Sequence, residues 1–121
     1  MEQWWKRAGV IFAGGAVGTA CRALLLHALD QQTVALAVVN LTGCLLIGVV
    51  SGWWGARTSL LRLFLAVGGV GAFTSWSSLA LQGIQDPVAT VVVVVEALAG
   101  VGAAGLGHLL GARTQRRRRP A

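Results

Sequence analysis

Four apolar stretches take up most of this chain, and each reaches the ~20 residues a helix needs to cross the hydrocarbon core of a bilayer. They run roughly Ala8–Leu29, Thr33–Trp54, Leu60–Leu81 and Pro87–Leu110. The joints between them are short, so residues 1–121 read as one all-α domain of four transmembrane helices, with a basic tail over 111–121. Composition agrees: 55% of residues are hydrophobic and only 12% are charged, about half the charged share of a soluble domain. So few charges cannot coat a soluble domain of this size, whereas residues facing lipid need no such coat. The 17 glycines suit close helix contact within a bilayer.

Lys6 and Arg7 ahead of an apolar stretch resemble the start of a secretory signal. Removal of that segment would leave an odd number of spans, and Gly14, Gly15 and Gly18 read as packing residues, so the segment is expected to remain as the first span. Cys21 and Cys44 fall inside spans and are expected to be buried small hydrophobes. No CxxC pattern or Cys/His cluster suggests a metal or redox site.

Charge is unevenly placed. Lys6 and Arg7 precede the first span, Arg57 and Arg62 lie at the joint of the second and third, and Arg113 and Arg116 to Arg119 follow the fourth. The other two joints carry only Asp30 and Asp86. In an even-numbered bundle these cations share one side, and the positive-inside rule places both termini in the cytoplasm of a plasma-membrane protein. An arginine run can bind nucleic acid; beside a span it reads instead as a topology anchor or a contact to lipid headgroups.

Within the spans a few polar residues stand out. Arg22 is costly in hydrocarbon and must face protein, water or an anion, or else snorkel to an interface. Asn40 can hold helices together or offer N–H donors to an anion. Glu96, after the run Val91 to Val95, needs a donor, a proton or water, and Arg22 is one possible partner. His108 reads as interfacial. In the third span Gly68-Gly69-Val70-Gly71 leads into Ala72-Phe73-Thr74-Ser75-Trp76-Ser77-Ser78, a poor continuous helix. A break there requires that the freed backbone line a cavity or be covered by protein, and a branched side chain at Gly71 is expected to resist the backbone angles of that break. No nucleophile–base pair, no second carboxylate near Glu96 and no Walker-type lysine appears, so the chain does not read as an enzyme.

Three segments together resemble the CrcB/Fluc family of fluoride channels. Gly14 to Arg22 is similar to a glycine-rich first helix ending in arginine. Val39-Asn40-Leu41-Thr42-Gly43 through Gly48 is similar to the second-helix pattern V-N-x-x-G-x-x-x-x-G. Gly68 through Ser78 is similar to the third-helix signature. The resemblance implies an antiparallel, dual-topology-type dimer with two narrow pores that lower cytoplasmic fluoride by passive efflux. It implies a structural sodium ion at the dimer centre, matched here by the carbonyls of Gly71 and Thr74. It also implies pore positions at Asn40, Trp76, Ser77, Ser78 and Leu79, with Arg22 and Glu96 as further matches. Two positions depart from the pattern: Leu79 stands where the family has a second phenylalanine, and no Ser or Thr follows Glu96 from Ala97 to Leu110. The one-sided charge predicts a heterodimer with an oppositely inserted paralogue, a homodimer being the alternative. Other readings are a small multidrug-resistance-type proton-coupled exporter, which that class would mark with a first-span glutamate absent here, and a membrane assembly protein without transport.

Overall fold

A helix that is apolar around most of its circumference is stable where lipid or another helix covers it, and the chain is built from such helices. The computed structural model describes residues 2–118; Arg119, the last of the arginine run, lies outside them. Helix α1 spans Glu2–Ala28 and α2 spans Gln32–Trp54. The third span, Leu60–Gly83, is composite. It contains α3 (Leu60–Arg62), a π-helical segment (Leu63–Val70), α4 (Gly71–Phe73), two extended residues, Thr74 and Ser75, and α5 (Trp76–Gly83). Helix α6 spans Pro87–Arg117. Four helices are long and apolar enough to cross a membrane, and the described residues include no strand.

Helices α1 and α6 hold 27 and 31 residues, or about 40 and 46 Å at ~1.5 Å per residue, against a hydrocarbon core of ~30 Å. They therefore project beyond it. Helix α1 starts well before Ala8 and carries Trp4, Trp5, Lys6 and Arg7, while α6 runs past Leu110, so that residues 111–117 continue the helix. Helix starts carry their own caps. Ser59 Oγ accepts from the Arg62 N–H at 3.1 Å, and Asp86 Oδ1 accepts from the Ala89 N–H at 2.9 Å, with Pro87 in the first turn of α6. Helix α2 ends at Gly55, whose φ of 57° is open to a residue without a Cβ.

Two helix pairs make the bundle, α1 with the first half of the third span and α2 with α6. Both are glycine-mediated. A Cβ placed on Gly14 or Gly18 would run into the carbonyl oxygens of Phe64 and Gly69, and one on Gly68 would meet that of Ile11. In the other pair, Gly48 and Gly52 admit the carbonyls of Ala104 and His108, while Gly107 and Gly111 admit those of Leu45 and Val49. Lipid is as apolar as leucine, so hydrophobicity does not drive these pairs together. Close backbone approach, with its dispersion contacts, does.

One expectation becomes more exact here and two change. The break falls at Thr74 and Ser75, inside the stretch Gly68 to Ser78 but after its glycines; Gly68 to Gly71 continue the helix through the π segment and α4, with Gly68 packed against α1. Gly71 itself is right-handed helical, with φ −59° and ψ −39°, so its backbone angles would accept a side chain. Cys21 is exposed and Cys44 half-buried. A thiol on an outer helix face meets lipid rather than water, and burial inside protein is not required of it.

The packing predicts a contrast within one helix. Gly107→Ala should destabilise the detergent-solubilised protein by about 1–3 kcal/mol, the usual cost of overpacking. Gly105→Ala, which meets nothing within 4 Å, should leave the melting temperature unchanged or slightly raised. Equal melting temperatures for the two variants would contradict the α2–α6 contact.

Candidate functional site

The break in the third span frees backbone groups at membrane depth, and side chains from other helices take them up. In an unbroken helix the Ser75 N–H would bond the Gly71 carbonyl. Here it donates to Asn40 Oδ1 at 2.9 Å. Likewise the Ser78 N–H, which would bond the Thr74 carbonyl, donates to Ser75 Oγ at 3.3 Å and so caps α5. The carbonyls of Gly71 and Thr74 each lose their helical donor. Thr74 oxygen instead accepts from Arg22 Nη1 at 3.3 Å, and the Thr74 hydroxyl turns back to the Val70 carbonyl at 3.1 Å.

The bond to Ser75 also fixes the orientation of the Asn40 amide. Only its oxygen can face an N–H donor, so its nitrogen points the other way and donates to Glu96 Oε1 at 3.4 Å. Asn40, Ser75 and Glu96 are all buried, at 8%, 9% and 8% exposure, and form one chain of hydrogen bonds from the break through α2 to α6. Gly43 lies one turn beyond Asn40 on the same face of α2, and a Cβ there would collide with the Thr74 methyl. Asn40 thus holds the broken backbone while Gly43 makes room for it. Further along, the Thr90 hydroxyl donates to the Gly83 carbonyl at 2.7 Å and joins the end of α5 to α6.

An open cavity of about 500 Å³ lies beside this network, between α2, the break and α6. Asn40, Gly71, Thr74, Trp76, Leu79 and Glu96 line it. Trp76 is 71% exposed, leaving its indole available to the cavity, whereas Leu79 is 4% exposed. Ser77 and Ser78 do not line the cavity. They are exposed on α5 and join a hydroxyl cluster in which Ser75 Oγ donates to Ser78 Oγ at 2.7 Å and lies 3.5 Å from Ser77 Oγ. Arg22 reaches the break from α1 and bonds Thr74 there; the partner of Glu96 is Asn40.

Ser75 is the residue that sequence reasoning passed over. Its backbone carries the bond to Asn40 and its side chain starts α5. The available signal was positional: a Ser that begins a fresh helical run after a Gly-rich stretch is a natural N-cap. The carbonyls of Gly71 and Thr74 are neutral oxygen donors of the kind that hard cations take. A carbonyl has two lone pairs, so the Arg22 bond leaves Thr74 oxygen one more to give. Two oxygens from one chain make an incomplete shell, which fits a site shared with a second subunit.

Comparison with known proteins gives the family. Residues 9–111 match the family described as CrcB-like protein, Camphor Resistance (CrcB). Among relatives, the chain is similar to fluoride-specific ion channel FluC 1 of Rhodococcus jostii, at 36% identity over 89% of this chain and 87% of that one. It is 33% identical to fluoride-specific ion channel FluC 2 of Bacillus subtilis, over 85% and 86% of the two chains. It is 34% identical to fluoride-specific ion channel FluC of Stutzerimonas stutzeri, over 88% and 91%. With four membrane-crossing helices, a family match over most of its length and relatives at this identity, the chain is a multi-pass plasma-membrane protein that belongs to the CrcB family.

Proposed function

We propose that the chain is one subunit of a fluoride channel that lowers cytoplasmic fluoride by passive efflux. The observation that carries this reading is the broken third span, tied by Asn40 and opening on a cavity that Trp76 faces. Relatives named as fluoride-specific channels support it.

Fluoride is small and tightly hydrated, so a pore must replace its water with fixed donors of comparable strength. After bonding Glu96 through one hydrogen, the Asn40 amide has a second to offer. Ser78 accepts from Ser75 and so keeps its own hydroxyl proton for an anion. The edge of the Trp76 ring carries partial positive charge and meets an anion favourably. A sodium ion on the carbonyls of Gly71 and Thr74, completed by a second subunit, would supply a central positive charge where low dielectric strengthens its pull on an anion. Arg22 positions the Thr74 carbonyl for that role from outside the cavity.

The partner is proposed to be an oppositely inserted paralogue rather than a second copy. Lys6 and Arg7 share a recess with Thr58 and Ser59, and Arg118 lies over the Trp53 ring at 5.1 Å. The starts of α1 and α3 and the ends of α2 and α6 therefore meet at one basic end, and the opposite joints carry Asp30 and Asp86. Such asymmetry drives insertion one way, basic end to the cytoplasm. A paralogue would also bring its own aromatic and hydroxyl groups where this chain has Leu79 and a fourth span without Ser or Thr after Glu96.

Cells lacking their own fluoride exporter should regain resistance when given this protein with its partner. Liposomes containing the purified complex should release fluoride, and Asn40→Ala should slow that release at least ~10-fold while leaving a buried Ser75 N–H unpaired, at about 1–3 kcal/mol of stability. No fluoride release from the complex, with incorporation verified, would refute the channel reading.

Gly71 gives a sharper test of assembly. Its added Cβ would meet only the Ala66 carbonyl oxygen, at an ordinary 3.8 Å, and the position is exposed. Gly71→Val should thus leave the helical content of the subunit unchanged but block pairing and flux, as cross-linking and size-exclusion profiles would register. Normal pairing in that variant would mean that the break does not face a partner.

Orientation is read by a C-terminal reporter active on only one side of the membrane. A cytoplasmic signal alone is expected; equal signals from both sides would point to a dual-topology homodimer.

A further inference from the structure

We propose that the recess at the basic end of the bundle, between the first turns of α1 and the start of the third span, binds the phosphate of an anionic phospholipid. The recess has a volume of about 280 Å³, several times the ~30 Å³ share of one water molecule. Lys6 and Arg7 line it from α1, Thr58 and Ser59 from the joint, and Leu60 and Leu63 from the third span. Among the described residues, none of those lining it is acidic. Two cations beside two hydroxyls are the donor set a phosphodiester takes, and an arginine adds a planar pair of N–H groups. Ser59 Oγ already accepts from the Arg62 N–H, which leaves its own proton to donate.

Depth and polarity select a lipid over a free anion. Trp4 and Trp5 stack with ring centroids 3.8 Å apart and are both exposed. Exposed indoles of a membrane helix settle at headgroup level, and Lys6 and Arg7 follow them directly in α1. Leu60 is 48% exposed at the rim and offers an acyl chain an apolar way out of the recess, which inorganic phosphate cannot use. This site is remote from the break and does not depend on what the cavity there conducts.

Native mass spectrometry of the full-length protein, with any partner it requires, should show phosphatidylglycerol retained over phosphatidylcholine. Lys6→Gln combined with Arg7→Gln should weaken that retention about tenfold or more, since each cation near a membrane surface contributes on the order of 1 kcal/mol. Removing the same charge elsewhere at the basic end, by Arg113→Gln with Arg116→Gln, should weaken it clearly less, because neither residue lines the recess. Thr58→Val, which keeps the shape and all charges, should weaken it by a smaller factor and guards against a folding effect of the double variant. Equal loss in both double variants would reduce the effect to net charge and overturn the proposal. Displacement of the lipid by millimolar inorganic phosphate at constant ionic strength would overturn it in favour of a free-anion site.

Discussion

The hydrogen bond from the Ser75 amide to Asn40 is the interaction on which the rest of this bundle depends. A helix interrupted at mid-membrane exposes backbone groups that hydrocarbon cannot solvate, at several kcal/mol for each one left alone. Asn40 takes the freed N–H with its oxygen, and that choice leaves its nitrogen only one direction, toward Glu96. The buried carboxyl group of Glu96 on α6 is thereby bonded through the same amide that steadies the break. One side chain on α2 joins two features that would each be unstable alone, and a hydrocarbon-like residue at position 40 would release both.

Glycine placement is what allows Asn40 to reach. Helices that meet through Cβ atoms keep their axes apart, whereas Gly48 and Gly52 against Gly107 and Gly111 bring the backbones of α2 and α6 into contact. Gly14, Gly18 and Gly68 do the same for α1 and the third span. The spacing of Asn40 and Gly43 belongs to this logic. Three residues apart on a helix is one face, so the donor-satisfying amide and the clearance for the Thr74 methyl lie side by side. An N-x-x-G pattern is then the local requirement for docking a broken helix against an intact one.

This division explains what could be read from the sequence. Hydrophobic length gave the four crossings, because hydrocarbon thickness is a constraint that no tertiary contact relaxes. The polar residues Arg22, Asn40 and Glu96 stood out for the same reason: hydrocarbon makes each one expensive wherever it lies. Pairing was not legible. Arg22 and Glu96 are ionisable groups of opposite type inside the spans, and that alone suggests that they meet, yet Arg22 is taken by a carbonyl and Glu96 by an amide. Which faces meet is decided by small residues whose contact depends on axis rotation, and composition does not carry that. The stretch Gly68 to Ser78 was legible as a broken helix, but not the residue at which it breaks, because glycine lowers helix propensity in general, while in this bundle Gly68 is repaid by contact with α1. The break itself lies at Thr74 and Ser75, where Ser75 gives only the weak signal of a cap for α5.

The exposed surface of the break sets the remaining condition. Trp76, Ser77, Ser78 and Gly71 are all exposed on a single subunit, and the Gly71 carbonyl has lost its helical donor to Asn40. Lipid against that surface would leave hydroxyls and a carbonyl in contact with acyl chains, which membrane proteins avoid. Water alone would satisfy the polar groups but not the apolar residues around them on α2 and α6, such as Ile47 and Val101, which also border the cavity. A protein surface that is apolar at its edges and brings oxygen ligands or donors to its centre meets both demands. On the proposed reading, an inverted subunit presents such a surface by symmetry, since its own break faces this one. The same interrupted helix that costs stability in the isolated chain then becomes the means by which two subunits recognise each other and enclose a path for an anion.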